Sequence, residues 1–142
     1  MPENEFAIFL EAQEPVYHQV IAELAQGRKE THWMWFIFPQ LKGLGRSSVA
    51  QHFALRSLEQ AGRYADHPIL GGRLRQCIQL VLKVPGHNPA TIFHDPDDLK
   101  FHSCLTLFDL AVPGDRLFAS GLAKYFNGDR DSQTLALLGL EP

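Results

Sequence analysis

The chain has 142 residues, 45% of them apolar and 11% aromatic, enough to bury roughly two-thirds of its surface around one core. Only 20% are charged and the formal net charge is -3, which argues against an intrinsically disordered chain and against a general binder of polyanions. No apolar run approaches the ~18 residues of a membrane-spanning helix, and the opening MPENEFAIFLEAQ is acidic where a signal peptide would be basic, so a cytoplasmic protein with no membrane partner is expected.

In chain order the signals are helical almost throughout. Phe6, Phe9 and Leu10 followed by Gln13 predict a short first helix, and Pro15 opens a second with Val16, Val20, Ile21 and Leu24 at helical spacing and Gly27 as its stop. Thr31 is a candidate cap for WMWFIF, which Pro39 ends; this short run reads as one or two buried helical turns, with a buried strand still open. LKGLGRSS, residues 41–48, is a glycine-broken loop, after which Ser48 is placed to cap one helix and Ser57 another, SLEQAGRYADHP. Pro68 starts a longer helix whose Leu70, Leu74, Cys77, Ile78, Val81 and Leu82 form one stripe, with Arg73, Arg75 and Lys83 off it. Asn88-Pro89 and Asp95-Pro96 repeat one start signal, the second opening DPDDLKFHSCLTLFDLAV. Asp115 can cap RLFASGLAKYF, which stops at Asn127-Gly128, and Asp131 or Ser132 can cap TLALL. No stretch alternates convincingly at period two. The expected fold class is therefore all-α: a single compact multi-helix domain over residues 1–142 with some nine helices, several of them short, and no repeat or linker.

Charge is unevenly spread. Residues 1–27 hold five acids and no Lys or Arg, 28–83 hold nine Lys/Arg against three acids, and 84–142 hold eight acids against four. A basic middle between acidic ends marks either an anion site or a middle that the ends fold back on and neutralise.

Strong enzymatic fingerprints are absent: there is no GxxxxGK[ST], GxGxxG, HExxH or GxSxG. Cys77 and Cys104 lack CxxC spacing and the seven histidines lack zinc spacing, so neither a metal nor a cofactor is expected and the thiols read as buried. Three constellations remain. GLGRSS brings Arg46 and Ser47 to a helix start, a natural seat for an anion, though also an ordinary capped turn. His32, Trp33 and Trp35 offer stacking faces, with Arg28, Lys29, Lys42 and Arg46 near them in sequence, although six apolar residues in a row also point all round a helix and into a core. Asp98, His102 and Thr106 share a helix face at successive i+4 spacing, the grammar of general-base chemistry or simply a polar face.

GRKETHWMWFIFPQLKGLGRSS, YADHPILGGRL and PDDLKFHSCLTLF together closely resemble a family of short bacterial proteins catalogued as domain of unknown function number 1810. The resemblance runs from FLEAQEPVY to DSQTLALL. It implies a mainly helical fold and brings no established activity. The family pattern around the third segment resembles D-x-x-K-x-x-S-S-M-T-L-F, so Asp97 or Asp98, Lys100, Ser103, Thr106 and Phe108 match while Cys104 and Leu105 depart; position 102 is not typically histidine there, which weakens His102 as a catalyst. Members are sometimes labelled calpastatin-like. Inhibitors of that type are disordered and polar, and a chain with ten Phe and two Trp is the opposite composition, so the label is not taken as a function.

The function expected from these readings is binding, with or without processing, of a small anionic ring-bearing ligand such as a nucleotide or ADP-ribose derivative. Arg28, Lys29 and Arg46 would hold anionic groups, with Ser47 beside them. Trp33 or Trp35 would stack, His32, Gln40 and Ser103 would line the cleft, and Asp98 with Lys100 would orient substrate or a water. The alternative is a non-enzymatic protein-protein interaction module, including a homo-oligomer face, built on exposed aromatics from 33–38. Nucleic acid is the weakest partner class, since the net charge is negative and no binding motif is present.

Overall fold

Residues 5–140 are described by a computed structural model, which divides them into ten helices and no strand; the readings that fall on Met1–Asn4, Glu141 and Pro142 lie outside the described residues. The helices are α1 (Ala7–Gln13), α2 (Tyr17–Ala25), α3 (Met34–Ile37), α4 (Ser48–His52), α5 (Leu58–Asp66), α6 (Leu70–Lys83), α7 (Pro89–Phe93), α8 (Asp97–Ala111), α9 (Leu117–Phe126) and α10 (Ser132–Leu137). The fold is all-α. Ten helices stand where some nine were expected, and the glycine-broken loop adds one parallel bridge between Leu41 and Leu55.

From Phe101 to Phe108 only His102 on α8 is not buried. A helix without a continuous polar face belongs in the interior, and α8 packs against α5, α7, α9 and α10. Phe101 is the hub of an aromatic cluster: it stacks on Phe93 at 4.6 Å between centroids and meets the edge of Phe38 at 5.1 Å. That contact answers how WMWFIF is used. Its single helical turn buries Trp33, Met34, Ile37 and Phe38 and leaves Trp35 and Phe36 half-buried, so the segment is chiefly core. Each such fully buried large side chain stabilises the fold by roughly 1.5–3 kcal/mol.

The start signals separate into two groups. Ser57 accepts from Gln60 N, Asn88 from Ala90 N and Asp131 from Thr134 N, as the spacing predicts, and Asp115 accepts from Leu117 N. Three others are corrected. The cap of α4 is Ser47, one residue before the predicted Ser48, accepting from Ala50 N at 3.1 Å. Thr31 does not cap α3, because both its N–H and its hydroxyl donate to Glu23. Asp95 makes no cap for α8: the cis Asp95-Pro96 bond lies just before the helix, and the first free amides go to the carbonyls of His94 and Pro96. At α6 an unexpected acceptor serves, since His67 Nδ1 takes the N–H groups of Ile69 and Leu70 at 3.1 and 3.2 Å.

The C-terminus of α6 is closed from another helix. Lys124 Nζ donates to the carbonyls of Leu82 and Val84, and Tyr125 OH donates to Val81 at 2.6 Å. Leu82 O is a carbonyl of the last turn that a helix end leaves without an intrahelical partner, and Val81 O takes the tyrosine in addition to Val84 N.

Charge asymmetry resolves in the same way. Arg63 pairs with Glu5, Arg73 with Glu14, Arg75 with Asp115 and Lys29 with Asp97, so each bridge joins the basic middle to an acidic end.

Two adjacent glycines in α6 provide a test. A Cβ on Gly71 would stand 2.0 Å from the Ala65 carbonyl oxygen, whereas Gly72 has open space. Gly71→Ala is expected to destabilise by about 1–3 kcal/mol through overpacking. Gly72→Ala is expected to stabilise by about 0.5–1 kcal/mol through helix propensity. Urea denaturation of the two variants checks both signs.

Candidate functional site

The site begins with a buried acid on α2. Glu23 is 2% exposed, and five donors converge on its carboxylate. Oε1 accepts from Glu30 N (2.6 Å), Thr31 N (3.0 Å) and the Trp33 indole N–H (2.9 Å); Oε2 accepts from Gln19 Nε2 (3.0 Å) and the Thr31 hydroxyl (2.6 Å). Burial opposes the charged form, but the bonds from Thr31, Glu30 and Gln19 outweigh it and hold the pKa down at about 2. The loop from Arg28 to Trp33 is thereby wrapped around one anion.

Within that loop Lys29 points inward and is 7% exposed. Its N–H donates to Ile92 O at 2.7 Å and its carbonyl accepts at 3.0 Å from His94 Nε2, which must carry the proton because a carbonyl only accepts. Its ammonium lies 3.0 Å from Asp97 Oδ2 and 5.2 Å from the centre of the Trp33 ring. The other Asp97 oxygen takes Lys100 Nζ, also at 3.0 Å, and that ammonium lies 5.1 Å from the centre of the Trp35 ring. Two cations thus share one carboxylate, each against a tryptophan face, a contact worth about 0.5–2 kcal/mol. Burial would raise the Asp97 pKa, yet the two ammonium groups hold it below the ordinary carboxylate value.

Backbone strain sits beside this cluster. His94 adopts φ 66°, ψ 161°, a region populated almost only by glycine and costing of order 1–3 kcal/mol for another residue. It is held there from three sides: its N–H by Ala90, its carbonyl by Asp98 N and its ring by Lys29. Next along the chain, Asp98 Oδ1 is buried with no hydrogen-bond partner among the described residues, an acceptor left open.

The sequence-predicted residues therefore divide. Lys29, Trp33, Trp35 and Lys100 come together, with Asp98 one residue from the shared carboxylate. Trp33 is 1% exposed and is a core ring, so of the two tryptophans only Trp35 reaches the surface. Arg28 and His32 are exposed on the same loop. Arg46 is exposed, Ser47 is committed to capping α4, and the Gln40 carbonyl accepts from Leu55 N in the bridge. Ser103 is buried and donates to Leu99 O and Asp131 Oδ2, fastening α10 to α8. No hydrogen bond or ion pair among the described residues ties Arg46, Ser47, Gln40 or Ser103 to the lysine pair. Four surface concavities, against α1 and α5, between α8, α9 and α10, along α4, and between α2 and α6, are lined by other side chains.

Two residues of the Asp98–His102–Thr106 face, His102 and Thr106, make packing and backbone contacts. His102 stacks on Phe126 at 3.9 Å and donates to Asp129 O, and Thr106 donates to His102 O while accepting from Asp131 N. Both cysteines are buried, and burial pushes the thiols up, Cys77 to about 12. Glu23, His94 and the bridging role of Asp97 were not singled out in the sequence. The i,i+3 spacing of Asp97 and Lys100 is the one sequence signal that points to the shared carboxylate.

Replacing Glu23 tests the loop. A glutamine amide would face donors with donors, and Glu23→Gln is expected to lose about 2–4 kcal/mol of stability at neutral pH. The Glu23 pKa is lower in the folded chain, about 2, than the ordinary 4.5, so its contribution, about 3 kcal/mol, is complete above pH 4.5 and lost as pH falls toward 2. The stability gap between wild type and Glu23→Gln, measured by denaturation at a series of pH values, is expected to close across that window.

Comparison with known proteins agrees with this architecture. The crystal structure of Rv1873, a conserved hypothetical protein from Mycobacterium tuberculosis, matches with a TM-score of 0.93 and 47% identity, covering 96% of this chain and 97% of that one. No curated protein matches. The family described as "Protein of unknown function (DUF1810)" matches residues 3–138. This chain, similar to both over nearly its whole length, belongs to the DUF1810 family.

Proposed function

We propose that the protein binds a small anionic, ring-bearing molecule of the nucleotide or ADP-ribose type at the surface formed by Trp35 and Lys100. The observation that carries this reading is the pair of lysines on a single Asp97 carboxylate. Two ammonium groups share the Asp97 carboxylate, so this trio carries one positive charge in excess, and the excess falls on Lys100, the more exposed of the two lysines. An anionic group on Lys100 offsets that excess, and the half-buried Trp35 ring beside it supplies an apolar face for a flat ring. Arg28 and His32 extend the polar edge of the same loop. The strained His94 fits a surface held in shape before a ligand arrives.

No reaction is assigned, because no nucleophile in this cluster is paired with a base. Asp98 and Lys100 are positioning groups for a ligand or a water in this reading.

A thermal-shift panel of nucleotides, NAD, ADP-ribose and sugar phosphates tests it. A ligand at about 100 times its Kd contributes roughly 2.7 kcal/mol to the folded state and raises Tm by several degrees. The shift is expected to fall at least about tenfold in apparent affinity in Lys100→Ala and in Trp35→Ala, and to persist in Lys83→Ala. Silence across the panel from a folded protein would overturn the small-molecule reading and favour a protein partner, for which Leu99, 57% exposed beside Lys100, is the apolar anchor.

A further inference from the structure

A second, unrelated place in the molecule has the make-up of a ligand pocket. Between α1, the turn from α4 into α5, and α5 itself lies a concavity of about 600 Å³, inside the roughly 300–1,000 Å³ range of small-molecule sites. Its apolar lining is Ile8, Phe9 and Ala54, with Phe9 fixed by edge contacts to the Tyr64 and Phe6 rings. Its polar lining is Glu5, His52, Arg56, Gln60 and Arg63.

The rim charges are not equivalent. Arg63 is spent on Glu5, which it meets through Nε at 3.2 and 3.0 Å and through one terminal nitrogen at 2.6 Å. The Arg56 guanidinium has no carboxylate within 4.0 Å among the described residues. It is nevertheless held in place at the backbone, since Arg56 N donates to Gln60 Oε1 at 2.7 Å, Gln60 Nε2 reaches Glu5, and the preceding Leu55 is fixed to Gln40 and Lys42. The result is a mixed concavity with an apolar floor of Ile8, Phe9 and Ala54 and, among the described residues, one cation at its edge without a carboxylate partner, on a backbone frame held by hydrogen bonds.

We propose that this concavity binds a small monocarboxylate with an apolar body, the carboxylate pairing with Arg56 and the body lying over Phe9, Ile8 and Ala54. A planar guanidinium takes a carboxylate through two parallel N–H bonds, and one cation without a carboxylate partner among the described residues matches a monoanion better than a phosphate-rich ligand. This site is independent of the Trp35–Lys100 surface.

The experiment is isothermal titration of the full chain with phenylacetate and with its neutral isostere phenylacetamide. Phenylacetate is expected to bind saturably at one site and phenylacetamide not to saturate. Arg56→Gln, at an exposed side chain with no hydrogen bond or ion pair among the described residues, is expected to weaken phenylacetate at least about tenfold, Ala54→Leu to abolish binding by filling the hollow, and Lys100→Ala to leave it unchanged. Absence of saturable phenylacetate binding, equal binding of the amide, or undiminished affinity in Arg56→Gln would overturn the proposal, whichever way the nucleotide panel falls.

Discussion

A carboxylate taken out of water has to be surrounded by donors, and Glu23 is surrounded by five. Gln19 gives one donor from α2 itself, and the other four come from the loop that follows. Glu30 and Thr31 give their amides, Thr31 its hydroxyl and Trp33 its indole, so the loop's path is set by the radius of one anion. Trp33 is thereby turned into the core, and Lys29, two residues past Gly27, is turned toward α8. The lysine pair, the tryptophan faces and the exposed edge at Arg28 and His32 all inherit their positions from that arrangement. Gln13 does similar service on α1, where its buried amide donates to Phe36 O and to Tyr64 OH and accepts from Arg73.

The uneven charge along the chain has a mainly architectural use. Bridges from the basic middle reach both acidic ends, and exposed pairs of this kind contribute little individually. The Lys29–Asp97–Lys100 cluster differs because it is partly removed from water and is unbalanced in charge. Of the two alternatives raised by the sequence, the bridges bear out the second: Arg63, Arg73, Arg75 and Lys29 are each paired with an acid from one of the ends.

Legibility followed distance along the chain. Ser57, Asn88 and Asp131 each bond an amide two or three residues ahead, and spacing alone reveals such pairs. Thr31 carried the same local signal and went elsewhere, because a charged acceptor eight residues back outcompetes a neutral helix start. The apolar stripe of α6 was visible because its period is 3.6; α8 shows no such stripe, since its middle, from Ser103 to Phe108, is buried on every side by the four helices around it. At the candidate site, lysine and tryptophan were visible as residue types. Their convergence was not, because it depends on Glu23 and on His94, whose strained backbone has no signature in a one-letter code.

Lys29 touches the segment from Ile92 to Asp97 through its amide, its carbonyl and its ammonium. Two stretches more than sixty residues apart are therefore laced at three points along a single residue. Neither can detach alone without stranding a buried charge and two backbone groups, so they form one cooperative unit for local opening. Amide protons in the loop and in the α7–α8 turn share a common exchange event, and anything seated on Trp35 and Lys100 reports its presence through protons on both sides of that lacing.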